Sequence, residues 1–383
     1  MPRQTRRLRL AVIGLGSAGQ FHCEAAGCVP EIELVAVVDA DAQRVAAVAG
    51  RYGVRGLGSV RELLATRVCD AVSLATPHPA HGPIALACLN ARLHVLCEKP
   101  LAEAVGVARR MTAAARRNGV ALGCCLQYRY SPHFIKALEL ARSGVLGELR
   151  RAALVFSDFR TQAYYDTNVW RATWAGEGGG VLLNQAPHYL DLFVRLTGLP
   201  VSVRGRLATR LHKIEVEDQA EALLRYRNGA SGYVYCSTNE PYHRIGIELV
   251  GDRGKLEVGP GTLALHTFEP GLKELATTGR EMWGRPEVRP VAVPVADCKV
   301  SHRDVLANFA RHLLDGEPLL CDAGSAVGSL ELANAITLSH FTDCEVRIPL
   351  AAAAYQALLS DLKAQSVPRR RVRVQYQTDP RMR

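Results

Sequence analysis

The chain has 383 residues, of which 48% are apolar and 22% are charged. This length and composition are typical of a folded protein with about two domains. Its net charge of +10 lies almost entirely at the ends, because residues 1–10 hold four arginines and residues 366–383 hold six arginines and one aspartate. The near-neutral remainder lacks the basic, aromatic-containing stripe that nucleic acid requires, so we expect no nucleic-acid partner.

The eleven cysteines show no C-x-x-C spacing, and most lie within apolar stretches. Such cysteines are typical of small buried side chains in a reducing compartment. The sequence has no apolar run of about 18 residues and no signal-peptide pattern near its N-terminus. We therefore expect a cytoplasmic protein that does not contact a membrane.

The first third of the chain alternates short β-rich runs with amphipathic helical patterns, which is typical of parallel βαβ units. Predicted strands cover residues 10–13, 34–38, 71–75, 94–97 and 121–125, and predicted helices cover 18–26, 42–49, 79–91 and 103–117. The last helix ends at Asn118-Gly119, a common helix stop. This pattern predicts an α/β Rossmann domain over residues 1–127.

The sequence pattern changes after Gly147. Longer strands are predicted over residues 152–159, 220–226, 230–237 and 245–250, with helices over 302–314 and 326–338. Asn228-Gly229 separates two of the strands and is a strong signal for a hairpin turn. We therefore predict an α+β domain with a mainly antiparallel sheet over residues 128–365, followed by a disordered basic tail over 366–383.

A glycine-rich motif, Gly14-Leu15-Gly16-Ser17-Ala18-Gly19, follows the first predicted strand and opens the first helix. Such glycines let backbone amides approach a pyrophosphate at a helix N-terminus, so Gly14, Gly16, Ser17, Ala18 and Gly19 are candidate cofactor residues. Asp39, at the end of the second strand, can accept hydrogen bonds from both ribose hydroxyls and would repel a 2′-phosphate. The motif predicts NAD rather than NADP, while a tight turn and a strand-end cap remain the structural alternatives.

Two further strand ends carry polar residues at the same predicted sheet edge. Thr76, Pro77 and His81 follow the third strand and are candidates for lining the nicotinamide side. His78 and His81 are three residues apart, but no second ligand pair completes a metal set, so we predict no metal site.

The triplet Glu98-Lys99-Pro100 follows the apolar strand 94–97. Lysine at this edge can transfer a proton to or from a bound substrate, with Glu98 holding it and Pro100 turning the chain, through a cis peptide. Glu98 and Lys99 are also candidate cofactor contacts. The structural alternative is a loop ion pair followed by a helix-starting proline.

The second half contains a polar-aromatic segment with Arg160, Tyr164, Trp170 and Arg171. Flat rings and planar donors suit a sugar or cyclitol ring, although the same residues are also enriched in subunit interfaces. A glycine turn then leads into a predicted helix on which Asn184, His188 and Asp191 share one face. His188 can donate or accept a proton near neutral pH, whereas the alternative is a capped helix with a solvated face.

In this combination the chain resembles the Gfo/Idh/MocA oxidoreductases, which include glucose-fructose oxidoreductase and inositol dehydrogenases. The resemblance rests on the glycine motif, Ala75-Thr76-Pro77, Glu98-Lys99-Pro100, the Gly-Gly-Gly segment before His188, and residues 329–335. It implies a second domain with a large open sheet whose outer face builds homodimers or homotetramers. It also implies that Lys99 and His188 flank the reacting carbinol, and we add Tyr128 to the substrate candidates.

One position departs from that family. Many relatives have aspartate four residues before the histidine, whereas this chain has Asn184, which cannot accept a proton. The surrounding Asn-Gln-Ala-Pro-His sequence looks like members that act at C3 of pyranosides. The expected reaction is reversible, NAD-dependent oxidation of a ring secondary hydroxyl of a sugar, glycoside or cyclitol. The alternatives are a redox-neutral NAD-dependent glycosidase and a non-catalytic NAD-binding regulator.

Overall fold

The computed structural model describes residues 6–241, 245–296 and 298–367. Within this part, the chain divides into two compact units, residues 6–136 with 295–330 and residues 137–294 with 331–367. Most of the predicted basic tail, from residue 368 onward, lies outside the described residues.

The first unit contains a six-stranded sheet. Its strands are β1 Leu8–Ile13, β2 Ile32–Val38, β3 Arg55–Leu57, β4 Ala71–Leu74, β5 His94–Cys97 and β6 Leu122–Cys124. The helices are α1 Ser17–Gly27, α2 Ala42–Tyr52, α3 Val60–Thr66, α4 His78–Asn90, α5 Val105–Asn118 and, at the division between the units, α6 Pro132–Arg142. All neighbouring strands are parallel, in the order β3-β2-β1-β4-β5-β6. This is the doubly wound Rossmann order, which confirms the predicted fold of this unit.

Burial on both faces explains why these strands are continuous apolar runs. In β1, Leu10 and Val12 lie on one face of the sheet and Ala11 and Ile13 on the other, and all four side chains are buried. Each fully buried Leu, Ile or Val side chain stabilises the fold by about 1.5–3 kcal/mol relative to an exposed one.

The sequence prediction missed the short elements β3 and α3. The start of α3 does carry a local signal, because Ser59 accepts a hydrogen bond from the backbone N–H of Glu62 at 3.2 Å. The side chain of Glu62 in turn accepts from the Ser59 hydroxyl at 3.0 Å. Ser-x-x-Glu is a recognised helix-start pattern, so this helix could have been predicted.

The second unit contains a nine-stranded sheet. Its strands are β7 Leu149–Ser157, β8 Ser202–Ala208, β9 Gln219–Arg225, β10 Ser231–Ser237, β11 Gly246–Gly251, β12 Gly254–Gly259, β13 Thr262–Glu269, β14 Glu287–Val291 and β15 Val346–Arg347. The remaining helices in the described residues are α7 Gln162–Asp166, α8 Trp174–Glu177, α9 Val181–Asn184, α10 Pro187–Thr197, α11 Leu272–Thr278, α12 His302–Asp315, α13 Ala323–Thr342 and α14 Ala352–Gln365. The strand order is β14-β13-β12-β11-β7-β10-β9-β8-β15, with β7 and β10 parallel and the other described pairs antiparallel. This confirms the predicted mainly antiparallel sheet.

The two faces of this sheet differ. Val234 and Cys236 in β10 are fully buried, whereas Tyr233, directly before Val234, is 37% exposed. Leu223, directly opposite Tyr233 on β9, is 63% exposed. Asn228-Gly229 joins these two strands as predicted, with Gly229 at φ +87°. One face therefore packs against the unit's own core, and the other presents apolar side chains.

The compact units divide the chain differently from the predicted domains, because residues 128–136 and 295–330 belong to the first unit. Helix α12 begins at His302, whose ring stacks on Phe21 of α1 with the ring centroids 6.0 Å apart. The sequence analysis assigned α12 to the second domain because it follows that domain in the chain. No local sequence pattern shows that a chain returns to an earlier unit.

Gly205 in β8 provides a test of the packing between the second sheet and α13. A Cβ atom there would lie 2.5 Å from the carbonyl oxygen of Ile336, whereas a Cβ at Gly246 in β11 would meet nothing closer than 3.9 Å. We expect Gly205→Ala to lower the free energy of unfolding by about 2 kcal/mol or more, and Gly246→Ala to change it by no more than about 0.5 kcal/mol. Urea titration of both variants measures this; equal effects would contradict the packing described.

Candidate active site

The glycine-rich turn between β1 and α1 is shaped by two close backbone approaches. Gly14 has φ +89°, and a Cβ there would lie 2.7 Å from the carbonyl oxygen of Ala75. A Cβ at Gly19 would lie 1.8 Å from the carbonyl oxygen of Gly14, while a Cβ at Gly16 would meet no atom within 4 Å. Gly14 and Gly19 therefore permit tight packing, and open space lies over Gly16.

Helix α1 begins at Ser17 and Ala18 beside that open space. No side chain caps the helix at Gly16. The N-terminus of a helix offers backbone N–H donors and a favourable dipole to an anion. The turn thus has the shape and the donors that a pyrophosphate group requires.

Asp39 lies at the end of β2, next to this turn. Its carboxylate accepts hydrogen bonds from the backbone N–H groups of Leu15 at 2.7 Å and Asp41 at 2.9 Å, and from Arg44 at 3.2 Å. Burial would raise the pKa of Asp39, but these donors outweigh burial and the pKa lies below its ordinary value. Helix α2 is capped by Asp41 and not by Asp39. Asp39 is thus an ionised acceptor at the position that the nucleotide interpretation requires.

Thr76, directly after β4, supports the same interpretation. Its hydroxyl oxygen is buried and has no hydrogen-bond partner within the described part of the chain. A buried hydroxyl without a hydrogen-bond partner lowers the stability of the fold unless a bound ligand supplies the partner. Together with the open space over Gly16 and the Asp39 carboxylate, Thr76 and the neighbouring Pro77 fit a bound dinucleotide.

His81 has a different environment from the one predicted. Its side chain is fully buried, and its ring nitrogens lie 2.9 Å from the carbonyl oxygen of Pro100 and 2.8 Å from that of Thr76. Burial lowers the pKa of His81, although the two carbonyls favour the charged form. Both nitrogens therefore face protein carbonyls, so the ring links two loops rather than offering a nitrogen to a cofactor.

Glu98 is also bound more fully than the sequence suggested. One carboxylate oxygen accepts from His22 at 2.8 Å and from His302 at 3.2 Å, and the other accepts from the backbone N–H of Lys99 at 3.0 Å. Burial alone would raise the pKa of Glu98, but the two histidines hold it well below its ordinary value. The carboxylate is thus occupied by protein donors, and it holds Lys99 by the main chain. The Lys99–Pro100 peptide is cis, as expected.

Cys125 completes this cluster. The nitrogen, oxygen and sulfur atoms of His22, Glu98, Cys125 and His302 that could bind a metal lie within 4.8 Å of one another. Zinc binds such atoms, but the two imidazole-to-carboxylate distances are those of hydrogen bonds. Burial and the nearby Glu98 raise the pKa of the Cys125 thiol well above its ordinary value. We interpret the cluster as a hydrogen-bonded network, which the sequence analysis missed because its members are far apart in the chain.

The polar-aromatic segment of the second unit forms a stacked group. Arg171 lies 4.4 Å from the ring centroid of Tyr164 and 4.8 Å from that of Trp170, and it donates to the Tyr164 hydroxyl at 2.5 Å. Arg160 lies 5.2 Å from the Tyr164 ring and donates to both oxygens of Asp158 at 2.6 Å. The structure thus brings these four predicted residues together, whereas Tyr128 lies in the first unit, within a short 3₁₀ turn.

The predicted helix carrying His188 is in fact two helices. Helix α9 ends at Asn184 and α10 begins at Pro187. Proline lacks the backbone N–H that would continue the first helix. Asn184, His188 and Asp191 therefore do not share one face of a single regular helix. Asn184, His188 and Asp191 are 8%, 9% and 1% exposed. The alternative of a solvated face therefore does not hold.

A carboxylate does lie next to Asn184. The side-chain amide of Asn184 donates to Glu177, whose other oxygen accepts from the backbone N–H of Ala172 at 2.6 Å. Glu177 is only 1% exposed, so a buried carboxylate contacts the amide of Asn184, although Asn184 itself cannot accept a proton. Glu177 was visible in the sequence just before the glycine turn, but its side-chain direction was not.

Glu217 is a second buried acid near this turn. It accepts hydrogen bonds from the backbone N–H groups of Gly180 at 2.9 Å and Leu182 at 3.1 Å. Burial raises the pKa of Glu217 to about 7, and the nearby Glu177 adds to this rise. Glu217 therefore holds the start of α9 while exchanging a proton near neutral pH.

Comparison with known proteins identifies the family of the chain. Residues 8–125 match a family model described as the oxidoreductase family with an NAD-binding Rossmann fold, and residues 134–257 match the GFO/IDH/MocA C-terminal domain. The chain belongs to the Gfo/Idh/MocA oxidoreductase family. It is accordingly an oxidoreductase with an NAD-binding domain, and several of its relatives are named as dehydrogenases.

The relatives compared below share about 30% or less of their sequence with this chain. The chain is 30% identical over 268 residues to an inositol 2-dehydrogenase from Rubrobacter xylanophilus, a match that covers 68% of this chain and 74% of that protein. The structure of the WlbA dehydrogenase from Bordetella pertussis, in complex with NADH and UDP-GlcNAcA, is 28% identical with a TM-score of 0.75 and covers 90% of this chain and 100% of that one. GenD2 from gentamicin A biosynthesis, in complex with NAD, is 27% identical with a TM-score of 0.71 and covers 91% and 99%.

None of the helices in the described residues is both long and apolar enough to cross a membrane.

Glu217 generates a prediction about stability and pH. The unfolded chain releases this proton near the ordinary value of 4.5, whereas the folded protein keeps it to about pH 7. Stability that is present below pH 4.5 is therefore lost as the pH rises to about 7, by up to about 3 kcal/mol. Glu217→Gln cannot ionise, so its free energy of unfolding should decline less over this range.

Urea titrations at several pH values between 4.5 and 8 measure this difference. Glu221→Gln, in the adjacent strand β9, is the matched control and should keep the wild-type pH dependence. The same pH dependence in Glu217→Gln and the wild type would contradict the assignment.

Proposed function

We propose that this protein reversibly oxidises a ring secondary hydroxyl of a sugar, glycoside or cyclitol with NAD, at C3 of a pyranose. The observation that carries the proposal is Lys99, which follows β5 at the sheet edge where the dinucleotide turn lies, with its main chain bound to Glu98. Ligands of doubly wound sheets bind at this edge. A lysine held at this edge can exchange a proton with a molecule bound there.

In this proposal Lys99 and His188 are the two acid–base groups. One removes the hydroxyl proton of the substrate, and the other stabilises the oxyanion that develops on the same oxygen. Bound NAD supplies the acceptor for the hydride that leaves the carbinol carbon. Thr76, Asp39 and the glycine turn would hold that cofactor.

The charge around Asp39 favours NAD over NADP. Arg44 donates to Asp39 at 3.2 Å and lies 3.3 Å from Asp41. Its positive charge is therefore already compensated, and the Asp39 carboxylate would repel a 2′-phosphate.

The second unit supports an uncharged ring as the substrate. Arg160 is paired with both oxygens of Asp158, and Arg171 lies 3.9 Å from Glu177. These arginines therefore bring little net positive charge, while Tyr164 and Trp170 offer aromatic faces that suit a sugar ring. Asn184 adds a polar group for a ring hydroxyl.

We further propose that the protein assembles as a homodimer or homotetramer through the outer face of the second sheet, in the cytoplasm. Leu223 and Tyr233 lie opposite each other on that face and are largely exposed. Contiguous apolar residues on a sheet face are typical of subunit interfaces.

A substrate panel with NAD tests the proposal, with inositols, free pyranoses, glycosides, aminoglycosides and nucleotide sugars read by the absorbance of reduced nicotinamide. Net reduction of NAD by a sugar or cyclitol is the expected result. Glycoside cleavage without net reduction would favour the redox-neutral glycosidase. NAD binding without turnover of any member would favour the non-catalytic regulator.

Lys99→Met should reduce turnover by about 10²–10⁴-fold, which is the usual contribution of a positioned acid–base group. NAD affinity, measured by calorimetry, should stay within about twofold, because the glycine turn and Asp39 are unchanged. Lys273→Met is the matched control, because Lys273 is exposed on α11 in the second unit. Full turnover in Lys99→Met would remove Lys99 from the reaction.

Asp39→Ala should weaken NAD binding by about 10–100-fold, since each hydrogen bond to a charged group contributes about 1.5–3 kcal/mol. The substitution also frees Arg44 from one carboxylate, so NADP affinity should fall less or increase. Titration of both cofactors measures the change. An unaltered ratio of NAD to NADP affinity would show that Asp39 does not contact the ribose.

A further inference from the structure

Lys99 lies between two residues whose polar groups are held by histidines. His22 and His302 contact the carboxylate of Glu98, and His81 contacts the carbonyl oxygen of Pro100. We propose that these three histidines are positioning residues that fix the main chain of Lys99 for proton transfer. This inference rests on the proposed function, in which Lys99 acts on the substrate.

The hydrogen-bond partners of His22 determine its role. Its Nδ1 lies 2.7 Å from the Ser73 hydroxyl, and its Nε2 lies 2.8 Å from a Glu98 oxygen. A carboxylate can only accept, so Nε2 carries a proton and donates it to Glu98, while Nδ1 forms a hydrogen bond with the Ser73 hydroxyl. Because His22 and Ser73 are both fully buried, this chain of donors holds Glu98 in one orientation.

His302 supplies the second donor from a distant part of the sequence. It is the first residue of α12, directly after Ser301, and Ser301 forms a capping box with Asp304. Its ring stacks on Phe21, with centroids 6.0 Å apart, and lies edge-on to His22 at 5.0 Å. The cap and the two rings fix the direction of Nε2 toward Glu98.

His81 acts on the other side of Lys99. Its ring lies between the carbonyl oxygens of Pro100 and Thr76, both of which can only accept hydrogen bonds. A neutral imidazole donates its one N–H group to one of these carbonyls, and only the protonated ring donates to both. The lysine loop and the Thr76 loop are thereby held at a fixed separation.

This geometry indicates how the loss of one hydrogen-bond donor to Glu98 would affect turnover. Glu98 is buried, and its second oxygen binds the backbone N–H of Lys99, so a shift of its carboxylate shifts Lys99 as well. A displacement of about 1 Å of a catalytic group can reduce turnover by about 10²-fold. The three histidines therefore affect the rate through Lys99 without contacting the reacting atoms.

The kinetic test compares two substitutions at His302, the most exposed member of the Glu98 network. His302→Phe keeps a ring against Phe21 but removes the donor, and turnover should fall about tenfold with the KM for NAD unchanged. His302→Gln keeps an N–H donor and should restore most of the turnover. His312→Phe, at the other end of α12, is the matched control and should match the wild type. Thermal unfolding of each variant shows that it is folded.

A second measurement does not depend on turnover or on NAD. Trace acetylation of the ligand-free enzyme with acetic anhydride, followed by mass spectrometry, gives the reactivity of Lys99 relative to the exposed Lys213 and Lys273. His302→Phe should change the relative reactivity of Lys99 by about threefold or more, because the surroundings of its amine change, whereas His302→Gln and His312→Phe should not.

The two measurements separate the inference from the proposed function. Altered Lys99 reactivity in an enzyme that oxidises no substrate supports the positioning network and counts against the proposed function. Unchanged Lys99 reactivity in folded His302→Phe overturns the inference, whether turnover falls or not.

Discussion

The arrangement of the first unit depends on one buried carboxylate. Glu98 has been removed from water, and a buried ionised carboxylate is stable only when its oxygens accept hydrogen bonds. The donors come from α1, from the start of α12 and from the main chain of Lys99. Satisfying this single charge therefore ties the dinucleotide helix, a returning helix and the lysine loop together. The bond to His302 is one of the contacts that residues 295–330 make within the first unit.

Buried carboxylates organise the second unit in the same way. Glu217 accepts from the backbone at the start of α9, and Glu177 accepts from Ala172 and from the side chain of Asn184. Irregular segments lack the regular hydrogen bonds of helices and strands, so they need side-chain acceptors for their backbone N–H groups. Glu98 thus binds the main chain of Lys99 in the first unit, and Glu217 and Glu177 bind the start of α9 and the side chain of Asn184 in the second.

Local sequence patterns predicted most of the fold. The alternation of apolar runs with amphipathic helices gave the parallel sheet, and Asn228-Gly229 gave a hairpin of the second sheet, because these signals act over a few neighbouring residues. The helix through Asn184 and His188 was predicted wrongly as continuous, since Pro187 interrupts its hydrogen bonds. The short elements β3 and α3 were missed, and α12 was assigned to the wrong unit.

The sequence by itself determined the cofactor turn, Asp39 and the position of Lys99 at a strand end, because each depends on residues that are adjacent or one βαβ unit apart. The tertiary structure alone decided what holds Lys99. His22 and Glu98 are 76 residues apart, and Glu98 and His302 are 204 residues apart. Hydrogen bonds over such separations form only when the whole chain has packed, so no local pattern encodes them.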